Sequence, residues 1–261
     1  RSLRMRAFCR AVLTLCHILR NFSSPEFYLE KFSERKNSIM SLKNCTRKGC
    51  KDVFRAFLVE SAVYDGEWEI PRMKPEDAEP ERLISFSKSI RHKDSCAWVH
   101  FFEDDASIER LWNRPRLYLP ILKRYAGVIS PDFSLYRDMP LVMQANNVYR
   151  GRALGHWLQE NGVSVIPNIR FGDERTYGFC CAGIEPGGTI AVGSHGCIKG
   201  REDRRYFKQG LSAVMETLRP QRLIVYGSAP DDIFSAYRDS GISILQFDSE
   251  FAACHRKAVS A

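Results

Sequence analysis

Between positions 98 and 247 the chain repeats one pattern: a short apolar run, a break at Pro or Gly carrying polar side chains, then a stretch with helical spacing. That alternation is what βα units feeding a parallel sheet require. It places every break at the carboxyl end of a strand, where such sheets hold their ligands. The apolar runs are 98–102, 127–130, 163–166, 189–192, 222–225 and 242–247. Four helices are expected between them. The first opens near Ser107 with Ile108, Leu111 and Trp112 on one face and ends at Asn113-Arg-Pro. The second carries Leu141, Ala145, Val148, Leu154, Trp157 and Leu158 and stops at Asn161-Gly162. The third runs from Tyr206 to Leu218 before Arg219-Pro220, and the fourth opens with Asp231-Asp232 and ends at Ser240-Gly241. The expected fold is α/β with a mainly parallel sheet. Six strands, with 67–71 as a possible seventh, fall short of the eight of a closed barrel, so an incomplete barrel of the TIM type and an open doubly wound sheet both fit.

The rest of the chain reads as appendages: residues 1–39 as a basic extension outside the native fold, residues 40–82 as a lead-in, and 83–261 as the core domain. The lead-in has a short amphipathic helix at 51–60, an edge strand at 67–71 and a polar linker at 74–81. The net charge of +8 is confined to the amino-terminal part. Residues 1–60 hold 13 Lys or Arg against 5 Asp or Glu, which leaves the remaining residues balanced. The body therefore has no bulk electrostatic footprint for nucleic acid, and only the arm, with Lys43, Arg47, Lys48, Lys51 and Arg55, offers one. No run reaches the ~18 apolar residues of a membrane span, so no membrane partner is expected. Nine cysteines in no small-scaffold spacing, without an export signal, point to reduced thiols in a cytoplasm.

Acidic residues recur at the strand ends: Glu103, Asp104, Asp105, Asp132, Asp138 and Asp173. Three that converge would suit Mg²⁺ or Mn²⁺, and two across a cleft would suit acid–base work on a glycosidic bond. The competing reading is that Asp105 and Asp173 cap the turns that follow them. Asp104, Asp105 and Asp132 are the acid–base or metal-ligand candidates. Gly193-Ser-His-Gly-Cys adds His195 as a general base, Cys197 as a nucleophile, and Ser194 in a turn able to present N–H groups to an anion. Substrate contacts are expected from Ser134, Tyr136 and Arg137, from Asn147, Arg150 and Arg152 on the long helix, and from Asn168 and Arg170 after the third strand. A solvated helix face is the alternative for the helical set. Trp98, Trp112 and Trp157 are expected in the core.

Gly49-Cys-Lys-Asp-Val-Phe-Arg-Ala-Phe-Leu-Val, Glu69-Ile-Pro, Phe102-Glu-Asp-Asp, Ser130-Pro-Asp-Phe-Ser-Leu-Tyr-Arg-Asp-Met-Pro, Asn147-Val-Tyr-Arg, Val165-Ile-Pro-Asn and Val225-Tyr-Gly together resemble a bacterial and phage family, domain of unknown function 4417, over about residues 43–250. The resemblance implies mobile-element biology and carries no activity. The function expected is an enzyme acting on a nucleotide or nucleic acid through strand-end carboxylates, with Mg²⁺ or Mn²⁺ as possible cofactor. The alternatives are a non-catalytic DNA- or protein-binding module and a glycosidase-like barrel.

Overall fold

A computed structural model describes residues 49–92, 94–250 and 252, all within the unit Met40–Ala261. The basic extension at 1–39, the lead-in residues Lys43, Arg47 and Lys48, and Cys9, Cys16, Cys45 and Cys254 lie outside the described residues.

A small antiparallel hairpin, β1 (Tyr64–Asp65) and β2 (Ile70–Pro71), precedes seven parallel strands: β3 (Leu83–Ser85), β4 (Trp98–His100), β5 (Gly127–Ile129), β6 (Val165–Ile166), β7 (Thr189–Gly193), β8 (Arg222–Tyr226) and β9 (Ser243–Phe247). Helices α1 (Phe86–Ser89), α2 (Asp105–Asn113), α3 (Pro115–Leu122), α4 (Leu141–Glu160), α5 (Tyr177–Cys180), α6 (Arg201–Leu218) and α7 (Asp231–Asp239) alternate with them. The strands pair in chain order as two parallel sheets, β3-β4-β5-β6 and β7-β8-β9. A bridge between Asn168 and Ala191 splices the two. There the Ile169 N–H donates to the Ala191 carbonyl and the Ala191 N–H to the Pro167 carbonyl, each at 2.8 Å.

Side chains across this sheet prove that it curls. At about 4.8 Å per strand, β4 and β8 would lie roughly 19 Å apart in a flat sheet, yet the rings of His100 and Tyr226 are 4.5 Å apart and Phe102 stacks on Tyr226 at 4.7 Å. Trp98, Ile129, Ile166, Ala191 and Ile224 meet in one interior cluster, with Leu83, Leu245 and Phe247 packed against it. Gly127 makes room for the Trp98 ring, since a Cβ there would come within 2.5 Å of it. The alternate residues of the same strands, such as Val99 and Val128 or Ile190 and Leu223, face the helices in two outer cores. Among the described residues β3 and β9 do not pair, so the barrel stays open; the Lys88–Glu250 ion pair at 2.8 Å lies just beyond their carboxyl ends.

Several expectations change. The helix at 51–60 is reduced to a 3-10 turn, Ala56–Leu58. Arg55 before it is left-handed (φ 55°), which interrupts a right-handed helix, and Val53 and Phe54 are exposed, so the first turn of the expected helix has no covered apolar face, whereas Leu58 and Val59 are buried. The edge strand at 67–71 pairs only within the hairpin, and the seventh strand of the main sheet is β3. Helix α2 is capped by Asp104, whose side chain accepts the Ser107 N–H at 3.0 Å, and not by Asp105. Pro115 ends nothing lasting: it opens α3 at a position where its missing N–H costs no hydrogen bond.

Candidate functional site

The carboxyl ends of β6 and β7 open onto a cavity of about 480 Å³, bounded by the 135–138 loop, the 169–172 segment, the turn after β7 and the first turns of α6. Arg170 reaches it from just beyond the sheet splice. Gly193 forms part of its floor, and the Phe102 ring would stand 3.0 Å from a Cβ there. The turn that follows is fixed by Ser194, which is buried. Its N–H donates to the Tyr226 carbonyl at 2.9 Å and its hydroxyl to the Ser228 carbonyl at 2.7 Å. That turn delivers Cys197 to the cavity. On the opposite wall the Arg137 guanidinium lies 4.3 Å above the Tyr206 ring and 3.0 Å from Asp203. Phe171 and Phe207, 5.6 Å apart, complete an aromatic lining.

Behind the cavity lies a chain of buried polar groups. Asn168 donates from Nδ2 to Asp132 at 2.7 Å, and Arg170 donates from Nη1 to the other Asp132 oxygen at 3.4 Å. Burial pushes the Asp132 carboxyl above the usual carboxylate range, against the opposing pull of Arg170 and Asn168. Asp132 in turn raises Arg170, so this guanidinium is permanently charged where it meets the cavity. Burial also raises the Cys197 thiol, opposed by Arg170. Arg152 sits beneath, 3% exposed, and donates to the carbonyls of Asn168 (2.8 Å), Cys180 (2.8 Å) and Ala182 (3.1 Å). It has no carboxylate partner among the described residues, and burial lowers it to about 10.

Of the residues expected from sequence, Tyr136, Arg137, Asp138, Arg170 and Cys197 line the cavity, with Asp132 and Asn168 directly behind Arg170. The others have different employment. Asp104 is the cap of α2. Asp105 accepts the Ser134 N–H at 3.0 Å, and Asn147 donates to the Ser134 carbonyl at 2.7 Å, so these two shape the 131–137 loop. Arg150 pairs with Glu109 and lies over the rings of Phe133 and Trp112, at 4.0 and 4.8 Å, where it packs α4 against α2. His195 is exposed on the turn and does not line the cavity. The carboxylates do not gather, and no cluster of three or more His, Cys, Asp or Glu suited to a metal occurs among the described residues. The site therefore offers no ready-made cage for Mg²⁺ or Mn²⁺. Phe171, Asp203, Tyr206 and Phe207 were missed, because the aromatic residues among them read as core; for the three on α6 the signal was their place in the first turns after a glycine-rich strand end.

The model for a family described as "Domain of unknown function (DUF4417)" matches residues 62–248. Among curated proteins the chain is similar to the Gene 1 protein of Mycobacterium phage L5, 36% identical over 164 residues that cover 61% of this chain and 71% of that one. It is similar also to the Gene 1 protein of Mycobacterium phage D29, 34% identical over 164 residues, or 61% of this chain and 60% of that one. No solved structure matches.

Proposed function

The chain belongs to the DUF4417 family, and on that premise we propose that the cavity at the ends of β6 and β7 is a binding site for a nucleotide or a closely related phosphate-bearing ligand. The observation that carries this reading is Arg170: a guanidinium 23% exposed at the cavity wall, oriented from behind by Asp132. A fork held in place by a buried carboxylate keeps its outward N–H groups aimed and loses little entropy when an anion arrives. Arg137 adds a second cation, held by Asp203. The rings of Tyr136, Phe171, Tyr206 and Phe207 supply flat apolar surface of the kind a base stacks on. Asp132 acts in this reading as a positioning residue.

A thermal-shift panel of nucleoside mono-, di- and triphosphates with inorganic phosphate tests this. A ligand at a hundred times its Kd adds about 2.7 kcal/mol, which for a chain of this size raises Tm by roughly 5–10 °C. One or more nucleotides should do so for the wild type and not for Arg170→Ala, with Asp132→Asn intermediate. Absence of any shift, or a shift that survives Arg170→Ala, would overturn the reading.

A further inference from the structure

We propose that Cys180 and Cys181 are a vicinal dithiol that peroxides oxidise reversibly to a disulfide, and that this change reaches the 165–172 segment through Arg152. The two sulfurs lie 3.8 Å apart at the carboxyl end of α5, both buried. Cys181 also lines a second cavity of about 370 Å³, whose wall includes the exposed Gly178, Glu185 and Pro186, so a small oxidant has a route to it. The Arg152 guanidinium beside the pair favours a thiolate, and with the Cys180 thiol it pulls Cys181 down while Cys180 is raised.

The chemistry balances within these groups and one peroxide. The Cys181 sulfur attacks a peroxide oxygen, the O–O bond breaks, and the departing hydroxide takes the thiol proton as water. The sulfenic acid so formed is attacked by the Cys180 sulfur; the S–O bond breaks and the second water leaves with the Cys180 proton. Two thiols have lost two hydrogens and one peroxide has become two waters.

The consequence follows from covalent connectivity. A ring that joins adjacent cysteines contains the peptide between them, and the carbonyl of that peptide, Cys180 C=O, is the one that accepts from Arg152 Nη2 at 2.8 Å. Closing the sulfurs to a bond of about 2.05 Å turns that peptide. Arg152 then loses one of three acceptors, and another of the three is the carbonyl of Asn168, the residue that holds Asp132. The thiol pair and the segment that carries Arg170 therefore share one cation. This inference stands apart from the nucleotide reading, since it concerns a different cavity and needs no ligand.

The test treats the full chain with hydrogen peroxide, alkylates the remaining thiols and digests with trypsin, which leaves Cys180, Cys181 and Cys197 in the peptide 176–199, and fragmentation of that peptide between 182 and 196 reads the pair apart from Cys197. The fragment with Cys180 and Cys181 should be unalkylated and two hydrogens lighter, and dithiothreitol reverses both changes. Hydrogen exchange over 165–172 should rise at least several-fold on oxidation and return on reduction, with no change in Cys181→Ser. A peptide that stays fully alkylated, or that goes only to sulfinic acids, overturns the proposal on the wild type alone; a disulfide that leaves exchange over 165–172 unmoved overturns the link through Arg152.

Discussion

Acid should weaken this protein through one histidine. His100 is 2% exposed on the inner face of the curled sheet, with Phe102 and Tyr226 against its ring. Its Nδ1 accepts the Phe102 N–H at 3.2 Å, which requires the neutral ring with its proton on Nε2. Burial lowers it from 6.5 to about 4, with Glu250 opposing and Lys88 assisting. The folded value lies below the unfolded one, so as pH falls through 6.5 the unfolded chain takes up a proton that the folded chain refuses until about pH 4. Stability present above pH 6.5 is lost across that window. A difference of 2.5 units is worth about 3 kcal/mol in all, of which about 2 kcal/mol is gone by pH 5. The assay is urea unfolding at pH 7 and pH 5 for the wild type and for His100→Asn, whose Oδ1 replaces Nδ1 as acceptor and does not titrate. The wild type should lose about 2 kcal/mol more than the variant between the two pH values, a midpoint shift on the order of 1 M urea. Equal losses would refute the argument and with it the dry interior that the curled sheet implies.

Arg152→Met removes a cation of similar length and leaves three buried carbonyls without their donor. It should cost about 3–5 kcal/mol in urea unfolding. Gly127→Ala drives a methyl into the Trp98 ring and should cost about 1–3 kcal/mol, read as a lowered Tm, whereas the same change at the exposed Gly178 should cost far less. Asp104→Ala should lose about 1 kcal/mol by removing the cap of α2, and Asp104→Asn should restore most of it.

The strands of the sheet were legible because their apolar runs stand between glycine or proline breaks, and α4 because Asn161 and Gly162 end it cleanly. Leu83-Ile-Ser was not, since three residues after a proline- and glutamate-rich linker are too few to show a period; pairing with β4 makes them a strand. Pro115 and Pro120 hid α3 by reading as breakers. The choice between open and curled sheet was invisible locally, because it depends on Trp98 meeting Gly127 and on rings that touch across four strands. At the site, Arg170 and Asp132 were visible as polar residues after strands. Arg152 reads from sequence as a substrate contact and is buried on three carbonyls: one turn of α4 separates exposure from full burial, and sequence does not tell which turn passes under the 168 and 180–182 carbonyls. Asp104 and Asp105 show the same limit, since a carboxylate after a strand serves a ligand or the backbone with identical spelling.

In the proposed function Arg170 meets a phosphate in the cavity beside β7. Isothermal titration of the nucleotide with the largest thermal shift measures it most directly, in the wild type, in Arg170→Ala and in Arg238→Ala, whose arginine pairs with Asp231 in α7 and does not line the cavity. Binding should weaken at least tenfold in Arg170→Ala and stay unchanged in Arg238→Ala; equal affinities in all three would remove Arg170 from the ligand.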